Sequence, residues 1–204
     1  MKKLILAAAA VFAFGATNAQ DMKFGVKAGL NVSNLSTTVP AGASVDALYG
    51  ANFGVFGDFK VSDKFSVQPE ILYSMQGAKL VASGSGFNYE EKQSTNYINI
   101  PIMAKFFVIE KLSLQAGPQI GFLMSAKADV TTNFPGFTNG STDVKSNYNS
   151  VDFGFNLGAG YDITENIAVD LRYNLGLSEL EKTVPAGTSA SKNRVFSLNF
   201  GYKF

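Results

Sequence analysis

Six ionisable residues hold most of the chemistry that this sequence can offer. Lys27, Asp58, Glu70, Lys105, Asp170 and Arg172 each stand on the polar side of a segment in which apolar and polar residues alternate. Three are cationic and three anionic. A lone charge shut in a low-dielectric surround is costly, whereas a hydrogen-bonded set is tolerated, so one electrically neutral network is expected. Gln68, Gln115, Gln119 and Asn156 share those polar faces and can fill the gaps. The same residues could instead line a narrow ion path or a proton relay.

Catalytic constellations fare worse. The chain has no His and no Cys, which removes the commonest general base, the thiolate nucleophile and any disulfide. Glu90 and Glu91 are adjacent, and neighbours on a strand point to opposite faces, so they cannot flank a substrate. The run Gly84-Ser85-Gly86 is not followed by a helix, which leaves a phosphate cradle unsupported. Asp129 and Asp143 match no calcium-loop spacing. No catalytic, cofactor-binding or metal-ligating residue is assigned, and an enzyme is not expected.

The elements that must position the six charges are strands. Phe24, Val26, Ala28, Leu30 and Val32 alternate with Gly25, Lys27, Gly29, Asn31 and Ser33, and this two-residue period recurs in eight segments. The second segment sets Ala51, Phe53, Val55 and Phe59 against Asn52, Gly54, Asp58 and Lys60, with Phe56 out of pattern. The fifth sets Leu112, Leu114, Ala116, Ile120, Phe122 and Met124 against a face that includes Ser113, Gln115, Gly117 and Ser125. The last has Phe196, Leu198, Phe200, Tyr202 and Phe204 on one face. Pro69, Pro101 and Pro118 fall inside segments, where each lacks a ladder N–H, so bulges or unpaired positions are expected.

Connections alternate as regularly. Three are short, at residues 62–64, 110–111 and 164–166. Four are long and polar: Leu35 to Ala47, Ala82 to Gln93, Asp129 to Asn149 and Lys182 to Lys192. All long connections then fall at one end, which predicts an all-β fold: an eight-stranded antiparallel up-and-down transmembrane β-barrel. The rival is a soluble lipocalin-type barrel, apolar within. An eight-stranded interior cannot hold that many large apolar side chains, and the Gly-rich polar face suits a cramped lumen better than a wet surface. The apolar face therefore belongs in lipid.

Residues 1–19 read as a cleaved signal peptide: Lys2 and Lys3, an apolar run from Leu4 to Ala16, then small residues up to Ala19. Residues 20–204 form the barrel domain. Cleavage removes two of the 17 basic residues, leaving 15 against 16 acidic ones, a net charge of −1. Nothing in that balance attracts nucleic acid.

The segments G-V-K-A-G-L-N-V-S-N-L (25–35), P-E-I-L-Y-S-M-Q-G-A-K (69–79), I-N-I-P-I-M-A-K-F-F (98–107), A-G-P-Q-I-G-F-L-M-S-A-K (116–127) and N-R-V-F-S-L-N-F-G-Y-K-F (193–204) resemble the PorT-like outer-membrane β-barrel family, the "porin family protein" group. The resemblance implies a Gram-negative cell outer membrane. It also implies a C-terminal aromatic strand, here Phe200, Tyr202 and Phe204, read as a signal by the barrel-assembly machinery. It implies no activity. The expected role is structural or interactive, with outer-membrane lipid around the barrel and an extracellular protein or glycan at the loops. The alternative is a narrow pore or small-solute transporter.

Two loop features add candidates. Phe134 and Phe137, around Pro135-Gly136, could contact a partner or staple their own loop. The pentapeptide T-V-P-A-G occurs at 38–42 and again at 183–187, in loops that barrel closure makes neighbours. These copies either pack into one patch or share only turn chemistry.

Overall fold

The computed structural model describes residues 22–39, 42–84, 86–133, 138–184 and 189–204. The leader, Phe134, Phe137, Pro40 and Pro185 lie outside the described residues. The strands are β1 Met22–Ser36, β2 Ala43–Ser62, β3 Phe65–Gly84, β4 Phe87–Phe107, β5 Leu112–Thr132, β6 Gly140–Asp143, β7 Val151–Asp162, β8 Ile167–Gly176 and β9 Lys192–Lys203. All pairings are antiparallel. Eight strands close a ring in the order β1-β2-β3-β4-β5-β7-β8-β9, and the short β6 only extends the upper part of β5.

Closure runs from Gly25↔Lys203 to Ser36↔Lys192, so the last strand seals against the first. The Phe204 amide continues the seal by donating to the Phe24 carbonyl at 2.8 Å. The molecule is inside out relative to a soluble domain. Phe24, Leu30, Phe53, Ile71, Leu114, Phe153, Leu171, Phe200 and Phe204 are exposed, while Lys27, Glu70, Gln68, Lys105, Arg172 and Asn199 are buried. An exterior band of this kind is stable against hydrocarbon and not against water.

Each proline leaves a gap on one side without changing register. The β2–β3 ladder skips from Phe56↔Glu70 to Phe59↔Val67 beside Pro69. The β3–β4 ladder skips from Pro69↔Ile102 to Leu72↔Asn99 beside Pro101, and β4–β5 from Pro101↔Gln119 to Ala104↔Ala116 beside Pro118. Pairing on the other flank holds each strand in the wall, as Pro118↔Phe155 does for β5.

Two expectations need correction. Much of the segments expected as long loops is strand: β3 runs to Gly84, β4 starts at Phe87, and Gly86 takes the positive φ of 89° that a tight turn requires. Beyond the lipid a strand needs no apolar outer face, so charged residues continue it. Asp46, Lys79, Lys92 and Asp129 stand in register across β2 to β5, and Lys79 also pairs with Glu90 at 3.0 Å. Second, the β4–β5 ladder shifts between Asn96↔Ser125 and Tyr97↔Leu123, a bulge at Met124. Ser125, expected inside, therefore faces outward and accepts from Asn96 Nδ2 at 2.8 Å, while Ala126 turns in above Leu123, which keeps the inward parity of β5. Phe56, the apolar residue out of pattern in the second segment, sits where its parity puts it, in the interior beside Asn52 and Asp58, 5% exposed. Gly25 makes room for it, since a Cβ there would collide with its ring.

Candidate functional site

The inward positions of eight strands converge on the lumen, and the six charges expected there are all buried in it. Four form one tetrad. Arg172 donates from both terminal nitrogens to Glu70, each at 2.8 Å, a bidentate fork that a planar guanidinium suits. Lys27 Nζ bridges Glu70 Oε1 at 2.8 Å and Asp170 Oδ2 at 2.9 Å, and Arg172 Nε closes the ring to Asp170 Oδ1 at 2.9 Å. The Phe56 ring lies 5.4 Å under the Lys27 ammonium, which gives that cation an aromatic face as well as two carboxylates.

Lys105 and Asp58 form the second group, 3.0 Å apart, nearer the short-turn end. Gln68 joins the groups: its oxygen accepts from Lys105 at 3.1 Å and its nitrogen donates to Glu70 at 2.6 Å. Gln115 accepts from Arg172 Nε at 3.2 Å, and Asn199 donates to Asp170 at 2.9 Å. Gln119 and Asn156 sit higher and bond each other at 3.2 Å, so they do not touch the tetrad.

Two members were missed by the sequence reading. Lys203 lies 3.6 Å from Asp58 and 3.0 Å from Asp162. Both follow the alternation of their strands, so the signal was present: position 203 continues the polar face of β9 and position 162 that of β7. With them, four cations (Lys27, Lys105, Arg172, Lys203) face four carboxylates (Asp58, Glu70, Asp162, Asp170).

Above the charges the lumen turns to amides and hydroxyls. Asn31 donates to Ser74 at 3.0 Å and accepts from Asn52 at 2.8 Å, and Asn174 donates to Asn156 at 3.1 Å. Asp152 is held by an amide, Asn193 Nδ2, at 2.8 Å. The remaining space is small: a polar void of about 30 Å³ among these side chains and one of about 10 Å³ beside Lys27 and Phe56. Neither has room for more than about one water molecule. Wider cavities lie at the mouths, about 300 Å³ at the short-turn end beside Lys203 and Asp162 and about 280 Å³ at the other, and a groove of about 380 Å³ runs over the outer wall between Phe106, Leu114 and Leu157.

The far mouth is stopped by an apolar cluster of Tyr97, Leu123, Ala126, Tyr148 and Leu180. Tyr148 follows a single 3-10 turn, Lys145–Asn147, and its hydroxyl donates to Gln93 at 2.8 Å. An isolated bridge ties it to Glu181. Tyr148 comes from a segment expected as an outward loop, Asp129 to Asn149, and Leu180 from just before another, Lys182 to Lys192. No alternation marks them, and only the apolar character of Tyr148 and Leu180 in polar surroundings could have pointed to them.

The other carboxylates considered for chemistry stand apart. Glu90 faces out to Lys79, while Glu91 faces in, accepting from Tyr89 at 2.6 Å and Gln93 at 3.0 Å. Asp143 accepts from the Lys145 amide at 2.9 Å, and Asp129 pairs in register with Ser141.

A family described as outer membrane protein beta-barrel domain matches residues 18–181. Among solved structures, the chain is similar to Ail, the attachment invasion locus protein of Yersinia pestis, at 14% identity and a TM-score of 0.52, over 91% of this chain and 100% of that one. It is similar to Neisserial surface protein A at 12% identity and a TM-score of 0.50, over 89% of this chain and 97% of that one. At such identities the likeness is one of fold alone. No curated protein matches the chain. With an exposed apolar wall, a buried polar lumen and most of its length matched, the chain belongs to the outer membrane protein β-barrel domain family.

Proposed function

We propose that this chain is a PorT-like barrel of a Gram-negative outer membrane that acts through its outward end, with its lumen closed. On this reading residues 1–19 are removed on export and residues 20–204 form the mature barrel. Phe200, Tyr202 and Phe204 present the C-terminal strand to the assembly machinery. The long hairpins, together with Phe134 and Phe137, offer the surface for an extracellular protein or glycan. Lys27, Asp58, Glu70, Lys105, Asp170 and Arg172 serve structure: they close the barrel and hold its strands.

The observation that carries this reading is the filled lumen. Voids of about 30 and 10 Å³ separate mouths of about 300 and 280 Å³. A hydrated solute needs a continuous path, and side chains locked by paired charges resist opening one. A pull-down from intact cells tests the surface role. The full protein is expected to retain a partner that a version with its four outward segments shortened loses. Equal capture by both would contradict it. The alternative, a narrow pore or small-solute transporter, predicts instead that liposomes holding the protein swell in isosmotic small sugars.

A further inference from the structure

The described residues of the two T-V-P-A-G copies converge on one cavity. Val39, second in the first copy, and Val184, second in the other, both line the cavity of about 280 Å³ at the long-hairpin mouth. Their loops are tied beside it: Thr37 Oγ1 donates to the Ser189 carbonyl at 3.0 Å, and Thr38 Oγ1 to Ser189 Oγ at 3.2 Å. Leu35, Val45 and Leu80 complete an apolar wall. Leu35 also packs on the Tyr97–Tyr148–Leu180 cluster, so the cavity has a floor that parts it from the lumen.

The inner faces of β2 and β3 thus change character with height. Lower down they carry Asn52, Ser74 and Gln76, which bond within the lumen, and at the mouth they carry Val45, Ala78 and Leu80. An apolar cup open to water gains by accepting an apolar body. Among the described residues, its polar lining holds one ionisable side chain, Glu181, among Thr37, Thr38, Gln93, Ser189 and Ser191. Glu181 lies in the wall, with Oε2 held by the Ser191 amide at 2.8 Å, and Glu91 stands behind Gln93. Two nearby cations are engaged elsewhere: Lys79 with Glu90, and Lys182 with the Ser146 carbonyl at 2.7 Å.

We propose that this cup binds a small cationic amphiphile, a compact apolar body of roughly ten carbon atoms whose single ammonium group faces Glu181. The two valines of the repeated pentapeptide grip the body from opposite loops. Val39 and Val184 are then a pair of matched lips, which shared turn chemistry alone would not require. The inference rests on the reading of a closed lumen with an active outward end, and adds a small-molecule ligand to that end. Failure of each is separately visible, because the pull-down reports on the surface role, conductance on the closed lumen and valine signals on the cup.

The test uses the full mature protein in lipid nanodiscs with valine methyl groups labelled for NMR. The probe is 1-adamantanamine, compared with 1-adamantanol and adamantane-1-carboxylate. The amine is expected to shift the Val39 and Val184 signals saturably, the alcohol more weakly and the carboxylate not at all. Glu181→Gln should weaken the amine roughly tenfold, to the level of the alcohol. Val184→Trp, and independently Val39→Trp, should abolish the shifts by filling the cup, with the lipid-facing Val26 and Val55 signals confirming an intact barrel. Shifts confined to Val26 and Val55 would mean partition into lipid and would overturn the proposal. So would equal response to the carboxylate, or unchanged amine binding in both Trp variants.

Discussion

Glu70 accepts two bonds from Arg172, one from Lys27 and one from Gln68, at 2% exposure. Removing it would leave two buried cations sharing Asp170 alone. Glu70→Ala is therefore expected to destabilise the barrel by about 3–5 kcal/mol, measured as a shift in urea unfolding in lipid vesicles. Asp63→Ala, which breaks the exposed pair with Lys60, should leave the transition in place. Replacing Lys27, Glu70, Asp170 and Arg172 together with Leu or Met should recover most of the loss, because the desolvation cost goes with the charges. A quadruple variant weaker than Glu70→Ala would contradict the view that the tetrad closes the lumen by mutual pairing. These residues were legible beforehand because parity is a local property: a residue two places from Lys27 or Arg172 shares its face. Their partners were not, since which inward side chains meet across a barrel depends on stagger and on reach. Thus Gln68 and Gln115 join the charges, whereas Gln119 and Asn156 sit above them.

The strands of this barrel differ in purpose along their length. Lower halves are bound by lipid on one side and lumen on the other, and both constraints write alternation into the sequence. Upper halves of β2 to β5 have water outside, so polar stretches such as Ala82 to Gln93 carry no such mark although they pair fully across Ala82↔Tyr89 and Ala78↔Gln93. The bulge at Met124 and the inward turn of Tyr148 and Leu180 were equally hidden, because each is settled by a distant partner. If the upper halves serve the outward surface and the lower halves the fold, they are separable. Replacing Leu80–Glu91 by an Asn-Gly turn that joins Lys79 to Lys92 should leave insertion intact, seen as heat-modifiable migration on gels. Deleting Phe204, which lies at the sealing edge and whose amide bonds Phe24, should impair insertion far more. The reverse ranking would contradict this division.

For the whole molecule, the interior is a column of polar side chains between two mouths, stoppered at one end by apolar ones. Four cations against four carboxylates leave the ion network neutral, and the aromatic and aliphatic exterior needs no further cover than lipid. Such a barrel has its rigid middle set by pairing and its variable chemistry at the rim, where the Glu181 cup and the hairpin tips lie. The most direct test is single-channel recording of the purified full-length mature barrel in a planar lipid bilayer. A closed lumen predicts a membrane that stays electrically tight after insertion, with no long-lived conducting state. Stable, large, reproducible channels from the wild-type protein would contradict it.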